Sequence, residues 1–273
     1  METFRWMELS SRQFKRYILS GGDLAALPVG SMEAMGPHLP FGVKYFIAKA
    51  VAEGLCEAHG GLCLPAVPLS PVYGGSKRGG VSLDFQTALD YIEDAVCEAH
   101  ENGIRRMLLV GAFEELYYTA AEIFQAYDIP LIHVNPLDLP VSTGKDSHQR
   151  FNDLTAGCLK LLGEDALLAK LTADNAACFN KGGFTAPDDG EIKRLLYVEG
   201  SSYPSGIFPH FYKKNEYKIL PVERIDADGA AAAVSAWIGA QAEPLKAFST
   251  YSQVFPRTRY DRGLRTGGAG YEH

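Results

Sequence analysis

The chain has 273 residues, with 26 Lys and Arg against 33 Asp and Glu, and a formal net charge of −7. This acidic balance argues against nucleic acid or an anionic membrane as partners, since both require a basic surface. The hydrophobic fraction of 47% is that of a globular protein. No apolar run approaches the roughly 18 residues of a membrane span. The N-terminus lacks a basic and apolar leader, so we expect a cytoplasmic protein.

The cysteines give no sign of a disulfide framework or a zinc ribbon, because their number is odd and no CxxC pair occurs. We expect most of them to fill the core of a protein in a reducing compartment. They are Cys56, Cys63, Cys97, Cys158 and Cys178.

Short apolar runs alternate with longer amphipathic ones over the first two thirds of the chain. The pattern predicts strands over residues 24–29, 62–69, 107–110 and 130–134. It predicts helices over residues 44–59, from 84 to Gly103, and over 114–127. Pro65 and Pro68 indicate that the second strand lies at an edge or is irregular.

This alternation predicts α/β architecture, a three-layer α/β/α sandwich with a mostly parallel sheet. In such sheets ligands bind beyond the carboxyl ends of the strands. Chemistry is therefore expected just after Val29 and just after Val110.

The pattern is weaker beyond about residue 150. Helices are predicted over residues 154–168 and 226–241, and loops over 181–190 and 203–210. The tail over 255–273, rich in Arg and Gly, is expected to be extended, disordered or laid across a neighbouring subunit. Without repeats or linkers, residues 1–273 are predicted to form a single domain.

One segment carries a family resemblance. The sequence from Leu27 to Pro40, LPVGSMEAMGPHLP, resembles the signature of the creatininase (creatinine amidohydrolase) family, which is approximately LPVGSxEQHGPHLPLxTD. Three looser matches follow in the right order, so that the resemblance covers roughly residues 20–155. They are Gly79–Leu83 against PGTxSL, Val110–Glu115 against a strand followed by NGHxxN, and Asp146–His148 with Asp153 against DxHAGxxETS.

The resemblance implies a metal-dependent hydrolase of cyclic or linear amides, with a three-layer fold and usually a hexameric assembly. In that family two divalent ions, Zn or Mn, activate a water molecule that attacks the carbonyl carbon. Glu33 and Glu115 match family glutamates. Three other ligand positions are replaced, by Met35, Lys44 and Phe113.

A thioether, an ammonium and a phenyl ring are not credible ligands for such ions. We therefore expect the two-metal centre to be absent and no cofactor to be bound. Two buried carboxylates without cations would repel each other. This predicts an ion cluster of Glu33, Lys44 and Glu115, in which the ammonium replaces the metal charge. In the alternative interpretation, Lys44 only begins a helix on its solvent side.

His148 is a further catalytic candidate, as a general acid or base. In the alternative interpretation it is an ordinary surface histidine. We expect Met35, His38, Phe113 and Ser76 to contact a substrate. His38 has the alternative of bracing its loop. Ser76 lies in a glycine-rich segment, 73–80, that either cradles an anion or forms an entrance loop.

Three functions remain open. The first is hydrolysis of a small amide or lactam-like C–N substrate at a metal-free centre built on Lys44. Neighbouring carboxylates favour the ammonium form, which makes a Schiff base the least favoured version. The second is a pseudoenzyme that only binds a small molecule. The third is an amidohydrolase with a single metal ion held by residues such as His148, Asp153 or His210. In each case a homo-oligomer is expected, a hexamer by resemblance.

Overall fold

The computed structural model describes residues 3–33, 39–72, 79–113, 115–141, 147–171 and 225–253, without the side chains of 147–150. Within these ranges, four parallel strands form one sheet in the order β2-β1-β3-β4. They are β1 (Leu24–Val29), β2 (Leu62–Cys63), β3 (Arg106–Gly111) and β4 (Leu131–Val134). The predicted parallel sheet is confirmed.

Within the described ranges, seven helices with defined ends accompany the sheet. They are α1 (Ser11–Leu19), α2 (Val43–His59), α3 (Phe85–Glu101), α4 (Glu115–Tyr127), α5 (Ser147–Leu161), α6 (Ala227–Gly239) and α7 (Ala242–Ser252). Short 3₁₀ turns occur at Trp6–Glu8 and Pro136–Asp138, and residues 165–171 are helical. None of the helices in the described ranges combines the length and apolar character needed to cross a membrane.

The helices cover both faces of the sheet, because alternate residues of the central strands point to opposite sides. Leu24, Ala26 and Leu108 pack on one face against helices α2, α5, α6 and α7. Ala25, Leu27 and Leu109 pack on the other face against α1, α3 and α4. The predicted three-layer α/β/α sandwich is therefore confirmed.

The second strand is shorter than predicted. Its ladder with β1 contains only Leu62 and Cys63, and Val67 adds an isolated bridge to Val29. Pro65 and Pro68 lack the amide hydrogen that a ladder requires, which explains the interruption. The backbone amide of Val67 still donates to the Pro28 carbonyl at 2.9 Å.

Other differences arise at helix ends. The helix predicted over 154–168 begins earlier, at Ser147, and ends at Leu161 near Gly163, whose φ of +71° suits glycine. Helices α1 and α7 are additions to the prediction. Ser10 and Gln13 form a capping box at the start of α1, a local signal for that helix. The predicted loops over 181–190 and 203–210 and the tail lie outside the described residues.

The order in which the parallel strands are added to the sheet reverses between β1 and β3. After β1 it enters α2 on one face, and after β3 it enters α4 on the opposite face. The carboxyl ends of these two strands therefore border a crevice, the usual ligand position in an open α/β sheet.

Candidate functional site

A buried ion pair lies at the carboxyl end of β1. The Nζ atom of Lys44, on the first turn of α2, is 2.8 Å from Oε1 of Glu33, four residues beyond the strand. The Lys44 side chain is 17% exposed and that of Glu33 only 5%. The predicted pairing of these two residues is confirmed, and the interpretation of Lys44 as a solvent-facing helix residue is wrong.

Lys44 is an unfavourable choice for this helix position in isolation. The first turn of a helix carries a partial positive charge, which destabilises a nearby ammonium by about 0.3–1 kcal/mol. Helix α2 also lacks acidic residues in that turn, and its N-cap Gly42 gives no side-chain hydrogen bond. The charge of Lys44 is therefore balanced by Glu33, from outside its own helix.

Ser31 also holds the carboxylate of Glu33. Its hydroxyl donates a 2.8 Å hydrogen bond to the same Oε1 atom, and Ser31 is itself buried. The backbone amide of Glu33 donates to the carbonyl of Phe41 at 2.9 Å, which fixes the chain on either side of residues 34–40. Sequence reasoning missed Ser31, although a hydroxyl two residues before an acid is a recognisable signal for a local hydrogen bond.

Glycines allow the elements around the ion pair to approach closely. A Cβ atom on Gly30 would lie 2.4 Å from Cα of Tyr45, the residue after Lys44. A Cβ on Gly111, which ends β3, would lie 2.7 Å from the Val29 carbonyl oxygen. Any larger residue at Gly30 would separate the loop that carries Glu33 from the helix that carries Lys44.

Glu115 does not join the predicted cluster. It begins α4, is half-buried, and takes part in none of the ion pairs among the described residues. A carboxylate in the first turn of a helix is stabilised by the helix dipole, so Glu115 does not require Lys44 as a counter-ion. The prediction of a three-membered cluster is wrong in this respect.

The other predicted site residues are placed only in part. Phe113 is half-buried and packs against the apolar core on the α3 and α4 face. His148 lies on the first turn of α5, and its side chain is not among those that the structure describes. Three further candidates lie outside the described residues altogether. They are Met35, His38 and Ser76.

Two more residues were suggested for a single-metal site, Asp153 and His210. Asp153 is fully buried, and its Oδ1 accepts the backbone amide of Asp226 at 3.0 Å, which ties α5 to the start of α6. This contact gives Asp153 a structural role between two helices. His210 lies outside the described residues.

Burial makes two of the described cysteines poor nucleophiles. Burial raises the pKa of Cys158 to about 12 and that of Cys56 well above its usual range. A raised pKa leaves too little thiolate at neutral pH for nucleophilic catalysis. The expectation that they are core residues is confirmed for Cys56, Cys63 and Cys158, all of which are buried.

Comparison with known proteins finds a family that part of this chain matches. Residues 7–129, which include β1, β3 and the Glu33–Lys44 pair, match the family model described as creatininase, creatinine amidohydrolase. Over these residues the chain resembles the creatininase family. The match covers 123 of the 273 residues and ends before β4 and α5.

Two curated relatives are enzymes of the hydrolase type. Creatinine amidohydrolase of Pseudomonas putida is 27% identical over 114 residues, which cover 40% of this chain and 44% of that protein. The 3-dehydro-scyllo-inosose hydrolase of Thermotoga maritima is 27% identical over 123 residues, or 41% and 38% of the two chains. The match thus spans less than half the length of either relative.

A solved structure extends the likeness in fold. The structure titled "Creatininase Mn" aligns with a TM-score of 0.62 at 17% identity, and the alignment covers 89% of this chain and 98% of that one. At this identity the match shows the shared fold, including the parallel sheet and its flanking helices.

The family's metal ions do not fit the donors that the structure describes. Oε1 of Glu33 already accepts hydrogen bonds from an ammonium and a hydroxyl, and the ammonium would repel a divalent cation placed beside it. Within the described ranges, no three His, Cys, Asp or Glu residues are grouped as a metal site requires.

Proposed function

We propose that this protein, which resembles the creatininase family, is a hydrolase of a small amide or lactam-like molecule, with a metal-free centre built on Lys44 and Glu33. The observation that supports it is the buried contact between Lys44 Nζ and Glu33 Oε1 at 2.8 Å. It lies at the end of the sheet where open α/β proteins bind their ligands. Both curated relatives are named as hydrolases.

The pair supplies the two charges that amide hydrolysis uses. As the water oxygen attacks the carbonyl carbon, the carboxylate of Glu33 takes a proton from the water. The ammonium of Lys44 donates a hydrogen bond to the carbonyl oxygen as it becomes negative. The C–N bond then breaks, and the proton held by Glu33 goes to the leaving nitrogen. All atoms and protons are accounted for without a further reactant.

Ser31 has a positioning role in this proposal. Its hydroxyl and the Lys44 ammonium both bind Oε1 of Glu33, which fixes the plane of the carboxylate before substrate arrives. Preorganised groups stabilise a transition state without reorganisation at the moment of reaction. Loss of Ser31 is therefore expected to reduce kcat more than it changes KM.

The substrate class comes from one relative only. The name of the Pseudomonas protein specifies hydrolysis of an amide, whereas the name of the Thermotoga protein does not mention an amide. A test should therefore include creatinine, other lactams, linear amides and a cyclic ketone as probes. We expect turnover with at least one lactam or amide.

The decisive experiment measures metal content and turnover of the purified full chain before and after treatment with a chelator. We expect activity to survive metal removal and to fall by about 10²-fold or more in Lys44→Met, because one charged donor to an oxyanion contributes that much. Lys49→Met, on the same helix, is the matched control and should retain activity. Circular dichroism would show that both variants fold.

Two outcomes would overturn the proposal. Stoichiometric Zn or Mn, with activity lost on chelation, would restore the family's metal chemistry. Absence of turnover together with thermal stabilisation by a small amide would replace the enzyme with a binding scaffold. The assembly as a hexamer and the cytoplasmic location stay predictions.

A further inference from the structure

A cavity opens beside β4, at the edge of the described sheet. It has a volume of about 300 Å³, which is at the lower end of the range for small-molecule sites. Leu108 of β3 and Ile132 of β4 line it from the sheet, and Leu55 lines it from α2. All three belong to the apolar core on the α2 face or pack against it. The cavity is therefore an opening in that core.

The cavity is separate from the Glu33–Lys44 pair. Lys44 lies on the first turn of α2, and Leu55 is eleven residues further along the same helix. At the rise of an α-helix this spacing corresponds to about 16 Å along the axis. Neither Glu33 nor Lys44 lines the cavity. A molecule bound there would not contact the ion pair.

The break between α6 and α7 forms another wall of the cavity. Trp237 stands on the last turn of α6, and Pro244 and Leu245 stand on the first turn of α7. Trp237 is half-buried, so its indole keeps part of its surface accessible. An indole offers a flat apolar surface, and it is the most favourable aromatic partner for an organic cation.

The polar groups on the wall include three hydrogen-bond acceptors. Asp138 is exposed, and its carboxylate takes part in none of the ion pairs among the described residues. Gln241 donates from Nε2 to the Trp237 carbonyl at 2.8 Å, which leaves Oε1 as the acceptor of that amide. Nε2 of His133 donates to the Gly111 carbonyl at 3.1 Å, because a carbonyl only accepts. Nδ1 is then the acceptor of the neutral ring.

The wall carries a negative charge without a matching positive one. No lysine or arginine stands among the described residues that line the cavity. The guanidinium of Arg106 reaches the Leu245 carbonyl, but it is already paired with Asp23. A molecule with an apolar body and a positive charge complements this wall, whereas an anion would be repelled by Asp138.

We propose that this cavity binds a small organic cation, an amine attached to an aromatic or alkyl body. The body lies against Trp237 and the apolar wall, and the ammonium donates its hydrogens to acceptors that include the Asp138 carboxylate. Charge complementarity identifies the occupant, since the lining combines an indole, a carboxylate and further acceptors. This site is independent of the hydrolase chemistry proposed above.

The probe that tests the site is 2-phenylethylamine, which joins a ring to an ammonium. The chain has two tryptophans, and Trp6 packs on the opposite face of the sheet from Trp237. In full-length Trp6→Phe protein, we expect the amine to change the Trp237 fluorescence saturably, with a dissociation constant of about 1 mM or lower. The neutral 2-phenylethanol should bind about fivefold more weakly. The anion phenylacetate should give no saturable change.

Isothermal titration calorimetry of variants locates the two contacts. Asp138→Asn should weaken the amine by about threefold to fivefold and leave 2-phenylethanol unchanged, because only the charge is lost. Trp237→Leu should weaken the amine by about tenfold. Asp128→Asn is the matched control, since it removes the same charge at an exposed position whose φ of +55° suits asparagine. It should leave both ligands unchanged. Circular dichroism shows that each variant is folded.

The proposal is wrong if the folded protein does not bind the amine saturably at millimolar concentration, or if phenylacetate binds as tightly. Equal effects of Asp138→Asn and Asp128→Asn would also contradict it. A dissociation constant that rises with protein concentration, together with self-association in the ultracentrifuge, would show that a second copy covers the cavity instead. Lys44→Met should bind the amine like the wild type, so this proposal and the proposed hydrolase fail separately.

Discussion

The two ends of the parallel sheet each carry a partly buried ion pair, and the two pairs differ in kind. At the amino end, Arg106 begins β3 and donates from Nε to Oδ1 of Asp23, which precedes β1, at 2.9 Å. Its Nη2 also bonds Asp23, and its Nη1 donates to the Leu245 carbonyl at 3.0 Å. Each nitrogen of this guanidinium is thus used, and the pair joins two strands to α7.

At the carboxyl end, Lys44 has a compact ammonium group in place of a branched guanidinium. It reaches Glu33 across the turn between β1 and α2, in the crevice where the strand order reverses. A guanidinium whose donors are all satisfied by protein is suited to structure, whereas an ammonium can turn its remaining hydrogens toward a ligand. The amino end is therefore built as a structural clamp, and the carboxyl end is the one where we propose the chemistry.

The largest expected effect is at the carboxyl end. Lys44→Met leaves the Glu33 carboxylate buried without its cation, and we expect a loss of about 3 kcal/mol in the free energy of unfolding. Urea denaturation measures it. The double variant Glu33→Gln with Lys44→Met removes both charges and should recover at least about 1 kcal/mol of that loss. If the double variant is as unstable as the single one, the pair is not a mutually dependent unit.

The next effect tests how the ion pair is positioned. Gly30→Ala would place a Cβ atom 2.4 Å from Cα of Tyr45, so the turn must shift. We expect a loss of about 2 kcal/mol from overpacking and a fall in any turnover. Gly239→Ala is the matched control, since a Cβ there meets nothing within 4 Å. Equal effects of the two substitutions would contradict close approach at Gly30.

A smaller effect is expected at the amino end. Arg106→Lys keeps the charge opposite Asp23 but loses the fork that also reaches the Leu245 carbonyl. The cost should be about 1.5 kcal/mol in urea denaturation, with turnover unchanged. A loss of turnover equal to that of Lys44→Met would remove the distinction between the two ends.

The smallest loss in the free energy of unfolding is expected at Lys49, a more exposed lysine of α2. Lys49 pairs with Glu53 at 3.2 Å on the more exposed part of α2, where Glu53 also pairs with Arg5. Lys49→Ala should cost no more than about 0.5 kcal/mol, because such pairs are screened and flexible. Thermal denaturation at low and high salt measures the difference. A cost close to that of Lys44→Met would show that burial does not separate the two lysines.

Local patterns were sufficient for most of the fold. Helix α2 begins within one residue of its predicted start, and Gly60 at φ +70° ends it as predicted. Strand β3 likewise matches a short apolar run that Gly111 closes. These features depend on neighbouring residues, which the sequence displays directly. The helix break at Gly163 was missed because apolar spacing continues across it.

The parallel sheet and the resemblance to the creatininase family could be predicted from the sequence, because both depend on residue types at fixed spacing. Which charged side chains meet depends on the folded structure. Glu33 and Lys44 are brought together by a turn that Gly30 allows, whereas Glu115 stands on a separate helix whose own dipole stabilises it. Contacts between distant residues depend on how elements pack, and spacing along the chain does not encode that distance.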